Sequence, residues 1–259
     1  MSAAPLAIQA PDLAQLDRRT LAMLVDAADE IDECSRVLKK AGLNPVGEVL
    51  KGQGQFVKMS HYPKGDVFDR DTQSQYYYHA HRDGEHGHFH CFLRAPGMPE
   101  GLAPVSEAAQ HDWPSGDKAL AHFVAVSMDR YGAPIRLFTT NQWVTGETWY
   151  PGADVIRMLP CFAIDHAHPS WPTNRWLTAL LRLFRPQIEA LITARDHALA
   201  AHRTARPHTD PFTDRDLETL SETAIDLARQ QAAVRDLLGA RPGEARPERR
   251  AAAQAGMRR

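Results

Sequence analysis

An α+β fold is predicted for this chain: a mostly antiparallel sheet of about 6–7 strands, with an N-terminal helix and two long C-terminal helices packed on it. Three observations predict it. Apolar residues recur at helical spacing over 12–41, the period falls to two between 46 and 164, and helical spacing returns from Thr173. The 259 residues are 43% hydrophobic and 24% charged, an ordinary globular composition. A single α+β domain over 1–240 is expected.

Taking the elements in order, Asp12 after Pro11 reads as an N-cap, and Leu13, Leu16, Leu21, Leu24, Val25, Ala28, Ile31 and Leu38 form the apolar stripe that follows. Gly42 is placed to end this helix. Strand patterns follow near 46–50, 55–61, 75–82, 86–94, 121–128, 134–144 and 147–164, the last of them broken. Asp83-Gly84 and Asp129-Arg130-Tyr131-Gly132 read as hairpin turns. A helix over 173–203 is expected to kink or divide at Pro186. After a Pro207–Pro211 linker, a last helix is expected from Asp214 to Leu238.

Charge and cysteine content exclude several classes. Thirty basic residues against 32 acidic ones give a formal charge of −2, so no nucleic-acid partner is expected. Residues 241–259 hold six Arg and two Glu with no large aliphatic or aromatic residue, which predicts a disordered basic tail. No apolar run reaches membrane-span length, and Met1–Ala10 lacks a signal-peptide pattern. Cys34, Cys91 and Cys161 are widely spaced, as expected of free thiols in a reducing compartment. A cytoplasmic protein of bacterial type is the expectation.

Histidine supplies the chemical signal. The segment 75–94, QYYYHAHRDGEHGHFHCFLR, carries five of the chain's 13 histidines between 79 and 90. With a turn at Asp83-Gly84, His81 faces His86, His79 faces His88 and Tyr77 faces His90. All five imidazoles then share one face, while Tyr76, Tyr78, Phe89, Cys91 and Leu93 form an apolar face behind them. Neighbouring imidazoles that converge in this way suit one Zn, Fe, Cu or Ni ion. His79, His81 and His88 are the expected metal ligands. Glu85, His86 and His90 are expected as catalytic groups, as further ligands or as residues that orient the ligands. A polar face with incidental histidines is the competing reading.

The stretches HYPKGDVFD (61–69), QYYYHAHR…EHGHFHCFLR (75–94) and HFVAVSMDRYGAPIRLFTTNQWVTGE (122–147) resemble a bacterial protein family of uncharacterised function. The resemblance implies one domain and no particular activity. His79-x-His81-x3-Glu85 looks like the first metal motif of cupins, although Gln73 and Phe92 stand where its flanking glycines would be. His86-Gly-His88-Phe-His90 is similar to the strand of histidine-triad nucleotide hydrolases and transferases. That similarity implies His88 as the nucleophile.

Other residues are candidates for substrate binding or an additional site. They are Tyr77, Asn141 and Glu147, together with Asp165, His166 and His168, which are expected to end a strand. His61 and Asp66 bracket a Pro-Lys-Gly turn and can approach the hairpin from a neighbouring strand. The sequence therefore predicts a metal-binding protein with a mononuclear site, acting on a small-molecule substrate by hydrolysis or oxidation. A non-enzymatic metal-binding or metal-sensing protein is the alternative. No membrane partner is expected, and the oligomeric state stays open.

Overall fold

The computed structural model describes residues 4–240. In chain order these form β1 (Leu6–Ala7), α1 (Arg18–Lys40), α2 (Pro45–Leu50), β2 (Tyr62–Phe68), β3 (Ser74–His79) and β4 (Gly87–Arg94). Next come β5 (Leu120–Met128), β6 (Pro134–Thr140), α3 (Gln142–Thr145) and α4 (Gly152–Met158). The described chain closes with α5 (Trp171–Leu183), α6 (Arg185–Ala205), β7 (Thr219–Ala224) and α7 (Leu227–Gly239). The strands make one seven-stranded sheet in the order β1-β7-β6-β5-β4-β3-β2. Its pairs are antiparallel except β1 with β7, so the predicted α+β class holds.

Helix α1 buries Leu21, Leu24, Ala28, Ile31 and Leu38 of the expected stripe, while Val25 is half-buried and Leu13 and Leu16 precede the helix; it ends at Gly42, which has a positive φ of 69°. Its N-cap is Asp17, whose side chain accepts from the Thr20 amide at 2.6 Å; Asp12 caps only a 3-10 turn, Leu13–Gln15. Asp17 is the better-placed cap because it stands directly before the buried stripe. The predicted division near Pro186 falls at Phe184, between α5 and α6.

Five predicted elements are corrected. Residues 46–50 are helical rather than extended, because Asn44 caps the Gly47 amide and Pro45 occupies the first turn. The 55–61 run is irregular, and pairing starts only at Tyr62. The 134–144 strand stops at Thr140, where Asn141 caps α3. Residues 147–164 contain α4 and a 3-10 turn and no strand; a short apolar run has no period that separates buried helix from buried strand. The helix expected over 214–238 is likewise split. Residues 219–224 pair with β6, and helix begins only after Asp226 caps the Arg229 amide. The expected tail, 241–259, lies outside the described residues.

All five long helical elements, α1 and α4 to α7, contribute to a core cluster that also includes Tyr76, Tyr78, Phe89, Cys91, Leu93, Val124, Val126 and Leu137 from the strands. The opposite face is buried too: His79, His88, His90, Phe92, His122, Ser127 and Phe138 are each at most 6% exposed. The histidine face is therefore an interior layer rather than a solvated one. Among the described residues no helix is long and apolar enough to cross a membrane.

Gly87 opens β4 where backbones crowd. A Cβ there would lie 2.6 Å from the His79 carbonyl oxygen and 2.6 Å from the Tyr78 hydroxyl. Gly87→Ala is accordingly expected to lower stability by about 1–3 kcal/mol. Thermal melting checks this, and an unchanged midpoint would contradict the close approach.

Candidate metal centre

Strands β3 and β4 pair His79 with His88 and Tyr77 with His90, the register expected from the sequence. Residues 80–86 connect them, and Gly84 takes a positive φ of 81° in that connection. His81 sits beyond the end of β3 yet stays with the cluster: its ring centroid is 4.9 Å from that of His79 and 5.0 Å from that of His88. One nitrogen from each of His79, His81 and His88 lies within 4.8 Å of the other two. Such a cluster can hold a metal ion. Imidazole nitrogens at about 2.0–2.1 Å from a tetrahedral ion stand roughly 3.3 Å apart, so small side-chain adjustments close the site.

Glu85 organises this group. Its carboxylate accepts a hydrogen bond from His88 Nδ1, and both side chains are buried. A carboxylate only accepts, so the proton is on Nδ1 and the lone pair of His88 is on Nε2. That Nε2 faces His79 Nε2 at 2.8 Å. Two bare nitrogens would repel at this distance, so either a proton or a metal ion must occupy the space between them. A carboxylate holding the far nitrogen of a ligating histidine is a common support at metal sites.

Burial favours the neutral form of His79 and His81, as ligation requires. Burial, followed by the neighbouring His88 and His81, pushes His79 down to about 2. Burial and His88 lower His81 too, against the opposing pull of Glu218. At Glu85 burial favours the acid form, but the hydrogen bond and charge of His88 outweigh it and hold the carboxyl below its ordinary value.

Behind the triad a second pair continues the layer. His90 Nδ1 is 2.9 Å from His122 Nε2, while His90 Nε2 is buried without a partner. Burial pushes His122 down to about 3, with Arg195 and His88 adding to it, and lowers His90 as well. Glu147 Oε2 accepts from the His122 backbone amide at 2.7 Å. Burial raises its carboxyl to about 7 against the pull of Arg195. His122 was not among the residues singled out by sequence. A register shift between Cys91 and Phe92 pairs it with Phe92, and only then does it join the histidine face. Its signal was the alternation of β5, hidden by that irregularity.

The other candidates distribute as follows. His86 leaves the histidine face: it bonds the Tyr78 hydroxyl at 2.7 Å and stacks on Phe56 at 5.3 Å. The connection between the strands releases it from strand alternation, so the expected His81–His86 pair does not form. Tyr77 lies between His61, stacked at 3.6 Å, and His79, edge-on at 5.2 Å. His61 is held by Asp66 Oδ1 at 3.0 Å, so the predicted approach from the neighbouring strand is seen. Asn141 is engaged structurally, donating to the carbonyls of Pro211 and Leu217 and capping α3. Asp165, His166 and His168 form a turn before α5 and end no strand. Trp171 donates to Asp165, and Asn174 donates to the carbonyls of His166 and His168. Because Asn174 also accepts from Tyr76, that turn belongs to the helical side of the sheet.

A cavity of about 510 Å3 opens beside His81, bordered by Arg82, Glu218 and Thr219. A larger one, about 1100 Å3, runs between α1 and α5 past Met23, Cys34 and Trp171, on the helical side and apart from the histidines. Of these two cavities the smaller is the relevant one, because it borders His81 of the triad. All three cysteines are free.

Comparison with known protein families gives a match. Residues 25–225 match the family described as Domain of unknown function (DUF6969). No curated protein and no solved structure matches the chain.

Proposed function

Because the chain belongs to the DUF6969 family, whose description assigns no activity, we propose a function from the site itself. It is a mononuclear metalloenzyme that holds one transition-metal ion on His79, His81 and His88 and acts on a small molecule entering beside His81. The observation that carries this reading is the 2.8 Å approach of His79 Nε2 and His88 Nε2, with the proton of His88 already committed to Glu85. Three protein ligands leave a coordination position open, as catalytic sites do, whereas structural sites close with four. Imidazole donors suit Fe, Zn, Cu and Ni alike. When bound, such an ion supplies Lewis-acid activation of water or of dioxygen, for hydrolysis or oxidation.

Around it, this chain's residues have distinct tasks. Glu85 orients His88, while Tyr77 and His61 pack against His79. His90 and His122 fill the layer behind. The histidine-triad reading fares less well, since a nucleophilic His88 needs open approach and its Nε2 ends on His79. A reducing, cytoplasmic setting is part of the proposal, in keeping with the free thiols.

Elemental analysis of the purified full chain tests the reading. One equivalent of a transition metal is expected in the wild type, and its loss in both His79→Ala and His88→Ala. Protein that contains no metal and takes up none of Zn, Fe, Cu or Ni would rule the proposal out.

A further inference from the structure

Arg82 follows His81 at the tip of the hairpin. Its guanidinium carbon stands 4.3 Å from the centroid of the Phe138 ring, and Phe138 packs in turn against the His88 ring at 5.2 Å. Stacking of this kind fixes the plane of a guanidinium and costs none of its hydrogen bonds. The cation is thus carried by the same aromatic ring that backs the metal cluster. Its Nη1 is nevertheless buried and has no hydrogen-bond partner. A buried donor on a permanent cation is costly to leave unmade, so an acceptor in the cavity that Arg82 borders, met by a small rotation of the guanidinium that brings Nη1 into it, is the natural complement. The nearby Glu85 carboxylate is already committed to His88.

Arg82 and His81 border one cavity of about 510 Å3, together with Pro5, Asp83, Glu218 and Thr219. That volume falls in the range of about 300–1,000 Å3 usual for small-molecule sites. Resting on the metal-site reading above, we propose that Arg82 is the carboxylate anchor of this cavity and that the substrate class is a small organic monocarboxylate. A planar carboxylate matches the fork of a guanidinium. Its remaining atoms then lie in the space that His81 borders. Asp83 and Glu218 in the same wall limit the ligand to a single negative charge, because a dianion would meet both carboxylates.

Isothermal titration of the zinc-loaded full chain tests this, with glycolate and acetate as probes and with glycerol and inorganic phosphate as comparisons. The wild type is expected to bind a monocarboxylate saturably and glycerol not at all. Arg82→Gln is expected to weaken that binding about tenfold or more while zinc stays stoichiometric. Arg82→Lys, which keeps the charge without the fork, should fall between the two. Circular dichroism confirms that each variant folds. Absence of carboxylate binding, equal affinity in Arg82→Gln, or tighter binding of phosphate would each overturn the assignment. If the chain takes up no zinc, the same titration runs on metal-free protein. Binding lost in Arg82→Gln then supports the anchor while the metal reading fails, and no binding overturns the anchor as well.

Discussion

Replacing His88 by alanine is expected to destabilise the protein by about 3–5 kcal/mol, beyond its effect on metal content. His88 and Glu85 are both buried, and the imidazole is the group that keeps the carboxylate paired. Removing it leaves a buried charge beside a cavity, and that charge must either protonate or draw in water. The double variant His88→Ala/Glu85→Gln removes the charge as well and should recover part of the loss. Denaturant unfolding of the wild type, both single variants and the double variant gives the coupling directly. If the double variant is as unstable as the sum of the singles, Glu85 is not acting through His88.

Acid is expected to unfold the protein well above the pH at which carboxylates titrate. An unfolded chain protonates each histidine as pH falls through about 6.5. The folded chain keeps His79 neutral down to about 2 and His122 down to about 3, and it lowers His90 in the same direction. The unfolded state therefore binds more protons. Stability is present in full above about pH 6.5 and is lost progressively below it. Each such group is worth up to about 1.4 kcal/mol per pH unit.

Glu147 works the other way. Its carboxyl is raised to about 7 in the folded chain, so it withdraws stability as pH rises from its ordinary value of 4.5. Three histidines against one carboxyl leave a net loss of about 3 kcal/mol per unit below pH 6.5, against a typical total of about 5–15 kcal/mol. Denaturation midpoints measured between pH 7.5 and 5 should fall steeply. A flat profile would mean that these imidazoles are not held neutral by burial. Bound metal should shift the fall to lower pH, because protons then compete with the ion for His79, His81 and His88.

The fold class and the histidine hairpin were legible because both depend on local alternation. In β3 and β4 apolar and histidine positions interleave at period two, and this specifies the register His79–His88 without reference to any other strand. The division of the C-terminal helices was legible for a similar reason, since proline acts on its own turn. Misread segments were those where a neighbour decides. Thr219–Ala224 extends along β6 and β1, although its helical spacing with the residues that follow is equally good. Val46 and Val49 became helical through the Asn44 cap, and 147–164 packs as turns and helix around Val155 and Met158.

The sequence by itself determined that a cluster of imidazoles shares one strand face backed by an apolar one, because side-chain alternation is a property of a single strand. Tertiary structure decided which of them meet. It turned His86 away to Tyr78, drew in His61 and His122, and bent Glu85 onto His88. It also separated Asp165, His166 and His168 from the cluster by putting them on the helical side of the sheet. Those outcomes rest on connecting segments, a register shift and the burial of both sheet faces. They are long-range packing effects, and no periodicity in the chain encodes them.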